Sequence, residues 1–427
     1  MIKHILKIIW NQRRSNGWIF AELLVVVSIL WVMTDSLLVD KYTYYSPLGF
    51  DIEDTYKVQL GILAPGTPGY VDDSLLTTRQ GEDVLRLAGL LRQAPEVEEV
   101  SISHVGCVYT ENRSWSQLYR ADADTFIKAN FRQSTVSPEY FTVLRMKDIE
   151  GNLLGPQIGQ RTGGVITSDL ERVFYGADIS ARGKAVKYHP DNTDEMAILA
   201  VSGPVRESEY KKSIPFFYYI PSQPEMIRQI EEAQAVGIDC LVRMKSGFRP
   251  EDMERFLQGM GERLTVNNVY VSSVVPLSEM RTGILKKSED AMKKKSALVS
   301  FMLINVFFGI IGTFWLRTQA RQGEIGLRMA LGSNRSRIGS LMNCEGLMLL
   351  VLTVPLVLVF ILNMLYFDML DTIRLPYTWW RFAVTFGGAY LLMAGMISLG
   401  IWFPMYKAVR MKPAEALHYE QRTIITI

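Results

Sequence analysis

"WIFAELLVVVSILWVMTDSLLV" (Trp18–Val39) is a run of 22 residues in which apolar side chains dominate on every side of a helix. At 1.5 Å per residue it is long enough to cross about 30 Å of hydrocarbon. A helix in a soluble core normally keeps one polar face, and this one has none. Lys3, Lys7, Arg13 and Arg14 precede it, as in a signal peptide. However, the run is long, carries Trp18 and Trp31, and has no small-x-small cleavage site before "DKYTYYSP". An uncleaved membrane anchor is predicted.

Three further windows share this composition: Ser296–Leu316, Gly346–Phe367 and Phe382–Pro404. The fold class predicted is a membrane protein with four transmembrane helices and a large α+β domain inserted between the first and second. The chain then divides into a cytoplasmic arm (1–17), the first span (18–39), an external domain (40–285), a charged stalk (286–295) and the second span (296–316). A cytoplasmic loop (317–345), the third span (346–367), a short external loop (368–381), the fourth span (382–404) and a cytoplasmic tail (405–427) follow. Basic residues set the orientation. They crowd the arm, the 317–338 loop with five arginines against Glu324, and the tail with Lys407, Arg410, Lys412 and Arg422. Both termini are therefore expected in the cytoplasm. "KKSEDAMKKK" (Lys286–Lys295) falls on the opposite side, where charge at the end of a long translocated domain has little weight.

The external domain shows two strand–helix–strand patterns. "YKVQLGIL" (Tyr56–Leu63), "GEDVLRLAGLLRQAP" (Gly81–Pro95) and "VEEVSIS" (Val97–Ser103) form the first. "CLVRMK" (Cys240–Lys245), "RPEDMERFLQGMGERL" (Arg249–Leu264) and "VNNVYVSSV" (Val266–Val274) form the second, with Pro250 suited to a first helical turn. Paired, they make a split βαβ lobe, and the intervening sequence reads as a separate β-rich lobe.

Nothing here predicts catalysis. The chain lacks G-x-x-x-x-G-K-[ST], G-x-S-x-G and H-E-x-x-H, and "GPQIGQRTGG" (Gly155–Gly164) reads as a turn. A net charge of +2 argues against nucleic acid. His4, His104, His189 and His418 are scattered, so no metal site is expected. Cys107 and Cys240 are open to two readings, a disulfide or two buried thiols; Cys344 lies at a membrane border.

Between the second and third windows lies "RQGEIGLRMALGSNRSRI" (Arg321–Ile338). Glu324 and Arg328 stand four apart in the better orientation for an intrahelical pair, and Gly332 is placed to end a short helix. Glu345 enters the third window and is positioned to pair with an arginine of the loop. The bland alternative is a basic loop lying on anionic lipid.

"EIGLRMALGSNRSRI" followed by "CEGLMLL" resembles the signature of the FtsX/MacB-like permeases of ABC transporters. The matching positions are Glu324, Ile325, Gly326, Leu327, Arg328, Ala330, Leu331, Gly332 and Glu345, with Met329 and Ser333 departing from the pattern. "PMYKAVRMKPAEALHYE" (Pro404–Glu420) is similar to the family's closing segment. "VSPEYFTVLRMKDIEGNLL" and "ITSDLERVFYGADISARGKAV" are similar to its MacB-type periplasmic core, with Asn152 where a basic residue is usual.

The resemblance implies a permease subunit in a bacterial inner membrane that binds no cofactor itself. ATP would be bound by a separate cytoplasmic ABC ATPase docked on residues 324–332. It further implies a homodimer or a heterodimer with a related permease, in contact with membrane lipids. A periplasmic adaptor and outer-membrane channel would serve export or extraction of substrate from the periplasmic side. The family's other branch implies activation of a cell-wall hydrolase instead, and a membrane-anchored sensor or scaffold is a third reading.

Overall fold

The computed structural model describes residues 7, 9–11, 13–122, 131–176, 179–189, 194–321, 323, 327–328, 331 and 333–408. In chain order the elements are α1 (Arg13–Tyr45), β1 (Thr55–Ile62), α2 (Gln80–Arg92), β2 (Val97–His104), β3 (Ser114–Ser116), β4 (Tyr119–Arg120), β5 (Phe131–Val136), α3 (Tyr140–Val143), α4 (Leu154–Ile158), β6 (Gly163–Thr167) and α5 (Ser168–Tyr175). They continue with β7 (Ala185–Lys187), β8 (Met196–Ser202), β9 (Phe216–Ile220), α6 (Gln223–Ala233), β10 (Ile238–Met244), α7 (Met253–Met260), β11 (Thr265–Val266), β12 (Val269–Pro276), α8 (Leu277–Ala320), α9 (Arg335–Leu352), α10 (Val354–Tyr366) and α11 (Trp379–Ala408). The chain splits into a helical unit, Met1–Tyr44 with Asp290–Ile427, and a sheet unit, Tyr45–Glu289.

Among the described residues, four helical stretches are long and apolar enough to cross a membrane: Asn16–Tyr45, Leu277–Ala320, Ser336–Tyr366 and Trp379–Trp402. Each has one face packed inward. Leu23, Val27, Leu30 and Trp31 of α1 meet Ile310 and Phe314 of α8, Val357 and Ile361 of α10, and Met393 and Ile397 of α11 in one cluster. The spacing in α1 is that of one helical stripe. The outward faces are apolar too: Ile29, Phe301, Ile304, Phe308, Leu362, Leu391 and Leu399 are exposed. Patches of that extent suit hydrocarbon rather than water. These helices fit a membrane protein. A Cβ at Gly346 would lie 2.9 Å from Ile397 and 3.2 Å from Phe314, so glycine sets how closely α9 approaches its neighbours.

The third window is not one straight helix. It breaks at Thr353, between α9 and α10, because Pro355 has no N–H to donate and its ring crowds the preceding turn. The Thr353 hydroxyl donates to the Leu350 carbonyl at 2.6 Å, satisfying one acceptor at the break.

In the sheet unit the strand order is β11-β12-β1-β10-β2-β5-β9-β6-β8-β7-β4, with β3 paired to β5. The strands β12, β1, β10 and β2 are all antiparallel to their neighbours. β1-α2-β2 and β10-α7-β12 therefore interleave, each crossing over one strand of the other. Val84, Leu87, Ala88 and Leu91 of α2 close over Val58, Val100 and Val242. The residues read as one closing strand, Val266–Val274, form a hairpin instead. Val266 pairs with Val269 around Asn267 and Asn268, and Asn267 takes a left-handed φ of 51°, which asparagine tolerates better than most residues.

The β-rich part is continuous with this block. Only Ser103↔Val136 and His104↔Thr135 join β2 to β5, after which parallel and antiparallel pairs alternate through β9, β6 and β8. Its core is aromatic, with Phe131, Phe141, Phe174, Phe217 and Tyr218 buried. "GPQIGQRTGG" contains all of α4 but its first residue, and the start of β6, rather than a simple turn. The turn proper is at Gly159, where φ is +57°.

Candidate functional site

The segment between α8 and α9 was the expected docking element. Glu324, Ile325, Gly326, Ala330 and Gly332 lie outside the described residues, as does the tail beyond Ala408. Leu327 and Arg328 are helical. The Leu331 amide donates to the Leu327 carbonyl at 3.0 Å and the Ser333 amide to the Arg328 carbonyl at 2.9 Å. These bonds describe one closed turn. Leu327 is 54% exposed and Leu331 79%, so this turn presents leucines four apart that nothing described in the chain covers.

Just behind the turn, Glu345 of α9 is buried and accepts two arginines. Arg317 donates from Nη2 to Oε1 at 2.5 Å, and Arg321 from Nη1 to Oε2 at 2.7 Å. Arg317 also donates to Oδ1 of Asn16 at 2.7 Å. One carboxylate thus ties the ends of α8 and α9, and Asn16 brings in α1. Glu345→Gln keeps an oxygen acceptor but removes the charge, and is expected to cost roughly 2 kcal/mol. Thermal unfolding of the detergent-solubilised protein checks this; an unchanged midpoint would show that the cluster holds nothing together.

A second cluster closes the opposite ends of these helices, and sequence reading missed it. Arg381 of α11 is fully buried and grips Asp35 of α1 bidentately, at 2.8 and 2.6 Å. Its Nη1 donates to the Asp371 carbonyl at 3.0 Å and to the Leu375 carbonyl, and the guanidinium lies 5.2 Å from the Tyr377 ring centroid. Asp40, one turn beyond Asp35, accepts Arg374 at 2.7 Å and pairs with Lys295 of α8. In the sequence, Arg374 and Arg381 look like loop bases and Asp35 like a border residue. The available signal was the pairing of rare charges near the ends of two apolar windows.

In the sheet unit, Arg243 is fully buried within β10. Its guanidinium donates to three backbone carbonyls, Val143 at 2.5 Å, Glu53 at 2.6 Å and Asp51 at 2.7 Å. Burial pulls its pKa below the ordinary arginine value. Asp239 accepts Lys57 at 2.6 Å and the amides of Gly106 and Cys107 at 3.2 and 3.1 Å. Cys107 and Cys240 are free thiols, both pushed up to about 12 by burial; they stay protonated and inert at neutral pH. Among the described residues no group of three His, Cys, Asp or Glu could hold a metal ion.

No family model matches the chain, and no curated protein matches it. Solved structures similar to it include the periplasmic region of MacB from Actinobacillus actinomycetemcomitans, at 13% identity and TM-score 0.33, covering 55% of this chain and 94% of that one. A domain of a putative permease protein from Porphyromonas gingivalis is 15% identical, with TM-score 0.32, over 54% of this chain and 98% of that one. The extracellular domain of the noncanonic ABC-type transporter YknZ from Gram-positive bacteria is 12% identical, with TM-score 0.27, over 51% of this chain and all 100% of its own.

Proposed function

We propose that this chain is the membrane subunit of an ABC transporter of the MacB-like kind. A separate cytoplasmic ATPase docks on the segment around Leu327–Leu331 and hydrolyses ATP. The sheet unit lies on the outer side of a bacterial inner membrane and changes conformation to export or extract a substrate, and both termini are cytoplasmic. A second copy of the chain, or a related permease, completes the transporter.

The observation that carries this reading is the exposed leucine turn backed by the Arg317–Glu345–Arg321 cluster. A helix end that merely rested on lipid headgroups would need the arginines facing outward. Here two of them are turned inward to lock α8 against α9, leaving Leu327 and Leu331 outward. Apolar side chains on a firm base suit a cleft on another protein, and movement of that cleft would reach α8 and α9 together.

Capture of the chain from mildly solubilised native membranes tests the proposal. Wild type is expected to bring down a nucleotide-binding subunit, and a Glu324→Lys, Arg328→Glu variant present in equal amount is expected to lose at least nine-tenths of it. Retention of the ATPase by the variant would remove the docking role. Absence of any ATPase with wild type, under conditions that preserve a known ABC complex, would point to a sensor or scaffold.

A further inference from the structure

One amide of the spanning helices faces outward, where hydrocarbon would surround it. Asn305 lies near the middle of the Ser296–Leu316 window, on α8, and is exposed. Its Nδ2 donates to the Phe301 carbonyl at 2.8 Å, an oxygen that the helix's own ladder of hydrogen bonds already uses. Among the described residues no donor reaches its Oδ1. Lipid tails offer none, and water is absent at that depth. A polar atom left unpaired there costs free energy that a neighbouring protein donor would recover.

The residues around it are in register with it. Leu298, Phe301, Asn305, Phe308 and Gly312 follow one another at steps of three, four, three and four, and all five are exposed. Leu303, Val306, Ile310 and Phe314 fall on the opposite side of α8 and pack into the helical unit. Apolar side chains at steps of three and four form the seam of a left-handed two-stranded coiled coil. A single asparagine in such a seam fixes its register and the number of strands. A Cβ at Gly312 would meet nothing within 4 Å, so the seam carries a notch where a second backbone can come close.

We infer that α8 pairs along this seam with α8 of a second copy of the chain, the two Asn305 side chains hydrogen-bonding to each other. A carboxamide carries both a donor and an acceptor, so it complements itself. Two copies inserted in the same orientation bring it to the same depth. A different permease would meet that need only with a polar residue of its own at that level, so the seam selects a second copy of itself. The inference rests on the membrane-spanning reading of α8 and involves no ATPase, so its failure and that of the transporter reading are separable.

The test uses the full chain, two differently tagged forms being co-expressed in one membrane. In a Cys344→Ser background, mild oxidation should join Phe301→Cys and Phe308→Cys copies into disulfide-linked dimers. Leu391→Cys, on the exposed side of α11, should stay monomeric under the same conditions. After solubilisation, capture of one tag should bring down the other. Asn305→Leu, which is better suited to lipid than asparagine, should reduce that yield at least threefold without lowering the melting temperature. Gly312→Ile, which fills the notch, should reduce it as well. No co-capture of the two tags by wild type, dimers from Leu391→Cys but from neither α8 cysteine, or a wild-type yield in Asn305→Leu would overturn the inference.

Discussion

Asp35→Ala is expected to destabilise the helical unit by about 3–5 kcal/mol, because it leaves the guanidinium of Arg381 buried with its carboxylate gone. Arg381 is fully buried and Asp35 is 2% exposed, so water is poorly placed to replace the lost partner. The bidentate geometry makes the loss larger than for a surface pair, whose worth is about 0–1 kcal/mol. The expected result is a marked fall in thermal midpoint and faster proteolysis of the solubilised protein. The double variant Asp35→Leu, Arg381→Met should recover much of that loss, since replacing both members of a buried pair with apolar groups is often near neutral. If Asp35→Ala melts with wild type, or the double variant is worse than the single, the pair is not the fastener described here.

Arg243→Met should have an effect of similar size in the sheet unit, about 3–5 kcal/mol. Methionine fills much of the same space but donates nothing. The carbonyls of Val143, Glu53 and Asp51 would then lose a charged donor at a cost of about 1–3 kcal/mol each, partly recovered by relaxation. Those carbonyls belong to the segment leading into β1 and to the end of α3, so one side chain of β10 fixes a loop and a helix end. Loss of the cooperative unfolding transition of the sheet unit, followed by tryptophan and tyrosine fluorescence, is the readout. Arg243→Lys should restore only a fraction, because an ammonium cannot spread donors as a guanidinium does. A wild-type midpoint in Arg243→Met would mean that water satisfies all three carbonyls.

The membrane helices were legible because their signal is compositional. Each apolar window falls, to within two residues at its ends, inside one of the four helical stretches long enough to span, the third being interrupted at Thr353, and no partner needs to be known to read it. The alternation of Tyr56–Leu63 and the helical spacing of Val84, Leu87 and Leu91 were equally local. What escaped was long-range or conformational. Asp35 and Arg381 are 346 positions apart, and nothing near either announces the other. Arg243 sits in "CLVRMK", where every residue of β10 is buried, and its charge among apolar neighbours was the clue to a satisfied interior cation. The Asn267–Asn268 turn was hidden by flanking valines that suit one long strand as well as two short ones. The junction of β2 with β5 rests on two residue pairs, too few for any sequence pattern. Of residues 324–332, Leu327, Arg328 and Leu331 have described positions, and the exposure of the two leucines is information that the motif alone did not carry.

The interruption at Thr353 has a mechanical consequence. An unbroken helix resists bending and twisting through its ladder of hydrogen bonds, so displacement at one end arrives at the other. α8 has that continuity from Leu277 to Ala320. The third apolar segment does not: where Pro355 removes one rung, α9 can tilt while α10 stays put. Any displacement applied to α8 and α9 together would therefore divide into a stiff arm that relays it and a jointed arm that absorbs it. Pro355→Ala, by splinting the joint, would turn the compliant arm into a second relay.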